Sequence, residues 1–412
     1  MTKTKLIALI GLIGLMGPMS PISQAQNTDR GFEIAKNLEI FSSIYKSLNQ
    51  NYVDDVDPGK TIKVAIDAML GSLDPYTNYF PESDIEDVKL QLLGEYGGVG
   101  SLIMQRGDTI MISEPYQGLP ADEAGLKAGD RILEVNGQST KGKTTADVSS
   151  AMRGQAGTQV TLKLERDGKV FEKTLTRREI KLPNVPYYGF VGNGDFGYIK
   201  LDEFTTDAAK NVREAFVSLK KEKPAMKGVI LDLRGNGGGA LTDEQYLLGG
   251  MLPAGGFQIG WSRLKRGVGR YDYSPMMPES VPTMEADHEI ITDVPIVVLV
   301  NSGSVSMSEI TALTAKNMPN ARVIGKRTHG GLCGLTGNEF YTENYAGHIG
   351  VEGATPVFCY LPNQILFDNN KRPLESIGIT PDIEVGLDTI AFKRDFTDTQ
   401  LNRALQYVRT GN

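Results

Sequence analysis

Three serines lie where a buried strand gives way to a helix. The apolar run 297–300 is typical of a buried strand, and Ser304, Ser306 and Ser308 follow it just before helical spacing begins. A serine at that junction meets helix N–H groups and a helix dipole that favour negative charge, which suits a nucleophile. Serines at helix starts are also common N-caps. Taken alone, this segment favours capping.

A second strand, residues 229–233, leads into a glycine-rich turn. Gly237, Gly238 and Gly239 expose backbone N–H groups with no side chain in the way. Such donors stabilise the oxyanion of a tetrahedral intermediate. A phosphate-binding loop is the competing interpretation, but it needs a Gly-Lys-Ser or Gly-Lys-Thr continuation, and Ala240 and Leu241 follow instead. The two segments together shift the balance from capping towards acyl transfer through a serine.

The chain that must position these segments has 412 residues, which suggests two or three domains. Its formal net charge is -7, and its Lys and Arg residues are scattered along the sequence. No basic stripe is present that would follow a phosphate backbone. We therefore expect no nucleic-acid partner.

The first residues have the order of an export signal. Lys3 and Lys5 precede the apolar run Leu6–Met16, and a small-residue site ends at Ala25. This pattern predicts a signal peptide over residues 1–25, with an uncleaved signal anchor as the alternative. The apolar run is short for a membrane span. We expect an exported protein, periplasmic or extracellular, with peripheral or no membrane contact.

The rest of the chain divides into three regions with different residue patterns. Residues 26–93 carry apolar positions at helical spacing and predict a helical region, with a helix from about Ser83 to Leu93. Residues 94–180 consist of short β-rich runs between glycines. Strands and helices alternate over residues 184–412, which predicts a largely parallel sheet and a closing C-terminal helix. The predicted fold class is multidomain α+β.

The β-rich region resembles a PDZ domain. The resemblance rests on the run Gly-Leu-Lys-x-Gly-Asp-x-Ile-Leu-x-Val-Asn-Gly at residues 125–137. Such domains bind the C-terminal residues of a peptide as an added strand, and a glycine-rich loop holds the terminal carboxylate. We assign Gly98, Val99 and Gly100 to that loop. The alternative is that these glycines only form a tight turn.

Most of the chain beyond residue 25 resembles the S41 peptidases, which include the carboxy-terminal processing, tail-specific and tricorn-type proteases. The matching motifs are Leu-Asp-Pro at 73–75, Asp-Leu-Arg-x-Asn-x-Gly-Gly at 232–239, Gly-Ser-x-Ser-x-Ser-Glu at 303–309 and Gly-Ile-Thr-Pro-Asp at 378–382. The resemblance implies a crotonase-like α/β catalytic domain and polypeptide substrates with accessible C-termini. It places the nucleophile at Ser306 and the oxyanion hole at the N–H groups of Gly238 and Met307. It implies no cofactor.

The residues that activate the serine in this family are replaced. The lysine of the processing proteases aligns with Gly331, and the glutamine that follows it aligns with Leu335. The tricorn-type branch uses a glutamate, which Glu375 matches, and a histidine, which aligns with Tyr76. A Ser-Lys dyad therefore cannot form at the usual positions.

Four interpretations of the missing base remain open. His329 lies on the loop that would face the serine, and its reference pKa of about 6.5 suits a general base. Lys326 lies just before that loop, and Tyr76 has a reference pKa near 10, which is high for the task. The fourth interpretation is that no base exists. The expected function is accordingly a serine endopeptidase that acts through an acyl-enzyme on Ser306, and the alternative is a catalytically inactive peptide-binding or scaffold protein.

Histidine and cysteine are too sparse to predict a metal centre. His288 and His348 occupy polar or turn-like segments, and neither Cys333 nor Cys359 has the spacing of a zinc site. We expect no bound metal. In an export compartment the two cysteines are free to pair, but their spacing leaves that question open.

Overall fold

The computed structural model describes residues 21–81, 90, 94–205, 207–239, 258–267, 269–276, 294–340 and 357–411. For residues 21–28, 267, 333–340 and 357–363 it describes the backbone alone. The chain divides into two compact units, Met1–Met69 and Leu70–Asn412. Four predictions lie wholly or largely outside the described residues: the signal peptide, the helix 83–93, and the settings of His288 and His348.

The first unit is helical. Helix α1 spans Pro21–Asn51, and helix α2 spans Pro58–Gly71, its last residues lying in the second unit. The Tyr45 hydroxyl donates to the carbonyl of Pro58 over 2.7 Å, which joins α1 to the start of α2. Asp57 caps α2 by accepting the N–H of Lys60. Among the described helices, none combines the length and apolar character that a membrane span requires.

The second unit opens with short strand β1 (Asn78–Phe80) and continues into a β-rich module. Its strands are β2 (Glu95–Gly98), β3 (Ser101–Arg106), β4 (Thr109–Pro115), β5 (Arg131–Val135), β6 (Gln138–Ser139), β7 (Gln159–Arg166), β8 (Lys169–Thr176) and β9 (Arg178–Lys181). Helices α3 (Pro120–Glu123) and α4 (Thr145–Met152) complete it. The main sheet has the order β3-β4-β5-β7-β8, and β2 pairs with β9. Alternate residues of β7 are buried, as a sheet with one covered face requires.

A six-stranded sheet forms the centre of the second unit. Its strands are β10 (Tyr187–Val191), β11 (Phe196–Lys200), β12 (Val229–Asp232), β15 (Ile296–Val300), β16 (Ala321–Gly325) and β19 (Ile383–Glu384), hydrogen-bonded in that order. The β10–β11 pair is antiparallel, and the other pairs are parallel. Because parallel strands share a direction, the residues that follow β11, β12, β15 and β16 gather at one edge.

Helices cover both faces of this sheet. One face packs against α5 (Ala208–Glu222) and α6 (Met307–Asn317), and the other packs against α8 (Thr399–Thr410), which follows α7 (Thr389–Asp395). Every residue of β12 and of β15 is buried. Side chains of β15 alternate between the two core clusters, with Val298 on one face and Val297 on the other. This explains why these strands are continuous apolar runs.

A third sheet is antiparallel and has the order β1-β18-β13-β14, with β17 also paired to β18. Its remaining strands are β13 (Gly260–Gly267), β14 (Arg270–Met276), β17 (Cys333–Phe340) and β18 (Val357–Phe367). The register places Cys359 opposite Asn338, and Cys333 opposite Ile365. The two cysteine backbones are thus six residues apart along β18, about 20 Å, which is too far for a disulfide within one chain.

A buried ion-pair network joins helix α8 to the strand that precedes the glycine turn. The Arg234 guanidinium bonds to Asp232 at 2.6 Å and to Asp398 at 2.8 Å. The Tyr198 hydroxyl donates to Asp232 over 2.7 Å. Asp398 is also the N-cap of α8, where it accepts the N–H of Leu401. The C-terminal helix and the strand end are therefore held by the same charges.

Replacing Asp398 with Asn should lower the free energy of unfolding by about 1–2 kcal/mol at pH 7, since Asn still caps the helix but leaves Arg234 with one anion. Burial tends to raise the pKa of Asp398, but Arg234 and the helix amides outweigh burial and lower it. A lowered pKa stabilises the fold above the unfolded value of about 3.9 and loses that effect as the pH falls.

Urea unfolding of both proteins from pH 7 down to pH 3 checks this expectation, and the difference should shrink towards acid pH. Asp395→Asn is the matched control, because its pair with Arg394 is exposed and should contribute little. Equal losses in the two variants at pH 7 would contradict a specific role for the network.

Candidate active site

Ser306 occupies a strained turn between β15 and α6. Its backbone angles are φ 55° and ψ -113°, outside the regions that L-residues commonly adopt. Such a conformation costs about 1–3 kcal/mol and persists where surrounding bonds enforce it, often at functional sites. The N–H of Ser306 donates to Glu309 over 2.9 Å. A serine presented on a sharp strand-to-helix turn has the geometry of a nucleophile elbow.

The flanking serines bind the backbone of the glycine-rich segment. The Ser304 hydroxyl donates to the carbonyl of Leu233 over 2.8 Å, and the Ser308 hydroxyl donates to the carbonyl of Asn236 over 3.1 Å. Both side chains are fully buried. They join the Ser306 turn to the glycine turn. Of the three serines 304, 306 and 308, Ser306 is the one that is partly exposed.

Gly238 lies directly against Ser306. Its φ is +98°, and a Cβ atom at this position would lie 2.7 Å from the Cβ of Ser306. Only glycine fits such an approach. The N–H of Gly238, predicted as an oxyanion donor, donates to Asn236 Oδ1 over 2.8 Å. Among the described residues no acceptor takes the N–H of Met307, the other predicted donor. In this conformation, therefore, one of the two predicted donors is already engaged.

The Glu309 carboxylate connects the Ser306 turn to the loop after β16. Its Oε1 accepts the hydroxyl of Thr328 and the N–H of Gly330. Its Oε2 accepts the N–H groups of Ser306 and Gly331. The side chain is fully buried, and burial raises the pKa of Glu309 despite the four hydrogen bonds, which act to lower it.

Two of the predicted base candidates border Gly331. A Cβ at Gly331 would lie 2.9 Å from Val305 Cγ1 and 3.6 Å from both His329 Cδ2 and Tyr76 Cε1. The backbone N–H of His329 donates to the carbonyl of Ser304 over 3.1 Å, and its side chain is exposed. His329 and Tyr76 thus lie beside the position where the processing proteases carry lysine.

Tyr76 and Glu375 form a direct pair. The Tyr76 hydroxyl donates to Glu375 Oε1 over 2.7 Å. Glu375 Oε2 accepts the N–H of Leu332 over 2.8 Å, which holds the carboxylate against the loop. Asp74 accepts the N–H groups of Tyr76 and Thr77, each at 2.7 Å, and so shapes the turn that carries the tyrosine. The described structure brings together the residues that align with the tricorn-type histidine and glutamate.

Lys326, the other predicted alternative base, pairs with a carboxylate outside this group. Its Nζ bonds to Glu384 Oε1 over 2.9 Å, and both side chains are more than half exposed. The lysine follows strand β16, and the ion pair joins it to β19, the neighbouring strand.

The proposed carboxylate loop of the PDZ-like module lies between β2 and β3. Gly98 ends β2 opposite Arg178, and Val99 and Gly100 lead directly into β3. The carbonyl of Val99 accepts the N–H of Ala121, and that of Gly100 accepts the N–H of Tyr116. The loop therefore has a defined shape at the start of the strand beside helix α4.

Metal ligation finds no support in the described part of the chain, where no group of three or more His, Cys, Asp or Glu side chains is placed to hold an ion.

Comparison with known families agrees with the two motif sets. The model of peptidase family S41 matches residues 195–385, and a PDZ domain model matches residues 111–166. A carboxy-terminal-processing protease of Bartonella bacilliformis is 30% identical over 367 residues, covering 88% of this chain and 78% of the relative. The chain belongs to the S41 peptidase family.

Other family members show the same extent of similarity. A CtpA-like serine protease of Staphylococcus aureus strain N315 is 28% identical over 391 residues, covering 90% of this chain and 75% of the relative. Among solved structures, a photosystem II D1 C-terminal processing protease is 24% identical with a TM-score of 0.44, covering 84% of this chain and 92% of that one.

Sequence reasoning missed the importance of Glu309, which entered only as the last letter of a motif. A glutamate three residues after a candidate N-cap is the signature of a capping box, and that signal could have identified it. The pairing of Glu309 with the loop of Gly330 and Gly331 could not have been found this way, since it depends on how β16 packs beside β15.

Replacing Glu309 with Gln should destabilise the protein by about 2–3 kcal/mol, because an NH₂ group would then face two donors in a buried site. The same change should loosen the loop of Gly330 and Gly331. Whichever carboxylate oxygen the Gln NH₂ group replaces, the two hydrogen bonds that this oxygen accepts are lost, and one of them comes from the loop. Urea unfolding and hydrogen exchange of the Gly330 and Gly331 amides measure the two effects. Glu384→Gln, an exposed glutamate paired with Lys326, is the control and should change neither. Wild-type exchange rates in Glu309→Gln would refute the role.

Proposed function

We propose that this S41 family member is an exported serine endopeptidase that captures polypeptide C-termini on its PDZ domain and cleaves through an acyl-enzyme on Ser306. One observation carries the proposal: Ser306 lies on a strained turn, with Gly238 against its side chain and, next in the chain, the N–H of Met307, for which the described residues offer no acceptor. That arrangement suits nucleophilic attack with an oxyanion donor in place.

In the proposed reaction the Ser306 Oγ attacks the scissile carbonyl carbon and gives its proton to a base. The tetrahedral oxyanion accepts the N–H of Met307, and it accepts that of Gly238 if this amide turns from Asn236 or is shared with it. Collapse breaks the C–N bond, the amine leaves with the proton, and an acyl-serine remains. Water then attacks the ester by the same route and releases the second product.

We assign the base to His329. Its backbone bond to Ser304 places the residue on the loop next to the serine segment, and its exposed ring borders Gly331. A neutral imidazole takes a proton readily near neutral pH. The Tyr76–Glu375 pair is the alternative, because a tyrosine whose proton is already directed to a carboxylate has a route for losing it.

The PDZ domain supplies the proposed specificity for chain ends. Gly98, Val99 and Gly100 lead into β3, so a peptide that adds beside β3 would end at this loop. Export is proposed from the basic, apolar and small-residue order of residues 1–25.

A second candidate function is peptide binding without hydrolysis. The observation that favours it is the loss of the family's lysine at Gly331, combined with a His329 side chain that has no hydrogen-bond partner among the described residues to orient it. In that case the PDZ domain would hold polypeptide tails, and Ser306 would be unreactive.

Replacing Ser306 with Ala should abolish hydrolysis of a protein with an apolar C-terminal tail and abolish labelling by a fluorophosphonate, because the acyl or phosphonyl acceptor is gone. Binding of a peptide with a free C-terminal carboxylate should persist in this variant, whereas the amidated peptide should bind weakly. Ser302→Ala, at an exposed serine of the same segment, is the neighbouring control and should keep both activities. Full hydrolysis by Ser306→Ala would exclude the nucleophile, and wild-type protein that is never labelled would favour the binding-only function.

Replacing His329 with Ala should reduce kcat about a hundredfold or more while leaving peptide binding unchanged, since general base catalysis contributes about 10²–10⁴. Tyr76→Phe is the matched variant and should lose less than about threefold, because it removes only the hydroxyl. A large loss in Tyr76→Phe together with normal turnover in His329→Ala would transfer the role to the Tyr76–Glu375 pair.

A further inference from the structure

The Glu203 carboxylate lies at the glycine turn, on the side opposite to β15. The turn follows β12, which lies between β11 and β15 in the sheet. Ser306 comes after β15, and Glu203 comes shortly after β11. A Cβ at Gly237 would lie 3.3 Å from Glu203 Oε1 and 3.5 Å from Glu203 Oε2, so the carboxylate lies against the Gly237 backbone. No part of the reaction described above uses Glu203.

Residues 203 and 204 contact the peptide groups on both sides of the predicted oxyanion donor. The Glu203 carboxylate lies beside Gly237, whose N–H belongs to the first of these groups. The N–H of Phe204 donates to the carbonyl of Gly238 over 2.8 Å and so holds the peptide group that joins Gly238 to Gly239. The peptide group between them carries the N–H of Gly238. Phe204 itself is fully buried and pairs with Gly239, which anchors the segment.

We propose that Glu203 is a positioning residue for hydrolysis, whose charged carboxylate holds the Gly237 amide and keeps the glycine turn against Ser306. The inference rests on the proposed function, because a turn that positions an oxyanion donor matters only if Ser306 reacts. The bond is charge-assisted when Glu203 is ionised, and such bonds are roughly twice as strong as neutral ones.

The charge on Glu203 changes within the physiological pH range. Burial of the carboxylate against the turn raises the pKa of Glu203 to about 7, although the side chain as a whole is exposed. The Gly237 N–H opposes this rise, Asp202 adds to it, and Lys200 opposes it. Residues 235–239 bring no titratable side chain to the contact. The turn is therefore held most firmly above pH 7 and least firmly below it.

The first test reads the contact without hydrolysis. In Ser306→Ala protein carrying ¹⁵N-glycine, the Gly237 amide resonance should shift with pH, with a midpoint near 7. The same resonance should stay constant when Glu203→Gln is added. Asp202→Asn is the matched control: it keeps the titration and moves the midpoint lower, because a neighbouring negative charge is removed. A Gly237 resonance that ignores pH in this range would overturn the proposal.

The second test reads the consequence for the reaction. At pH 8 Glu203→Ala should lower kcat about tenfold with little change in KM, and Glu203→Gln, which keeps an acceptor oxygen, should lower it only about threefold. At pH 5.5 Glu203 is mostly protonated, so the ratio of the wild-type rate to the Glu203→Gln rate should fall towards one. Because both proteins have the same general base, its own pH dependence cancels in this ratio. Unchanged rates in Glu203→Ala, or equal acceleration in both variants, would overturn the positioning role. Wild-type protein that hydrolyses nothing would refute the proposed function instead, while the Gly237 titration still decides whether Glu203 holds the turn.

Discussion

The buried carboxylate of Glu309 is the constraint on which the arrangement around Ser306 depends. Two of its donors, the N–H groups of Ser306 and Gly331, come from different segments and meet on a single oxygen. A buried carboxylate needs all of these bonds, since each unsatisfied group in the interior costs about 1–3 kcal/mol. The strained turn of Ser306 and the loop of residues 328–331 are consequently held as one unit. Neither segment can move away from the other without breaking hydrogen bonds to Glu309.

This constraint explains how the loop after β16 is held without a side chain at position 331. The backbone amides of Gly330 and Gly331 are bound by Glu309, and the carbonyl of Gly330 accepts the N–H of Ser376 over 2.7 Å. None of these contacts involves a side chain at position 331. The loop that carries His329 is therefore held beside the Ser306 turn by contacts to its backbone.

The parallel sheet gathers the remaining parts of the site. Consecutive parallel strands end at one edge, so the segments after β11, β12, β15 and β16 become neighbours there. Helices on both faces exclude water from the strands. The Arg234 network joins the C-terminal helix to the end of β12. The glycine turn is bound on one side by Ser304 and Ser308, and on the other by Phe204, next to which Glu203 contacts Gly237.

The sequence by itself determined the family, the order of strands and helices around the site, and the position of Ser306, because each of these is written in short contiguous motifs and local periodicity. Tertiary structure decided the rest. Tyr76 and Glu375 are 299 positions apart and meet in one hydrogen bond, and Lys326 pairs with Glu384, which ends the neighbouring strand. The N–H of Gly238 turns to Asn236, and Glu203 reaches Gly237, for reasons of backbone path alone. Such contacts follow from strand order and loop geometry, which residue types and spacing along the chain do not encode.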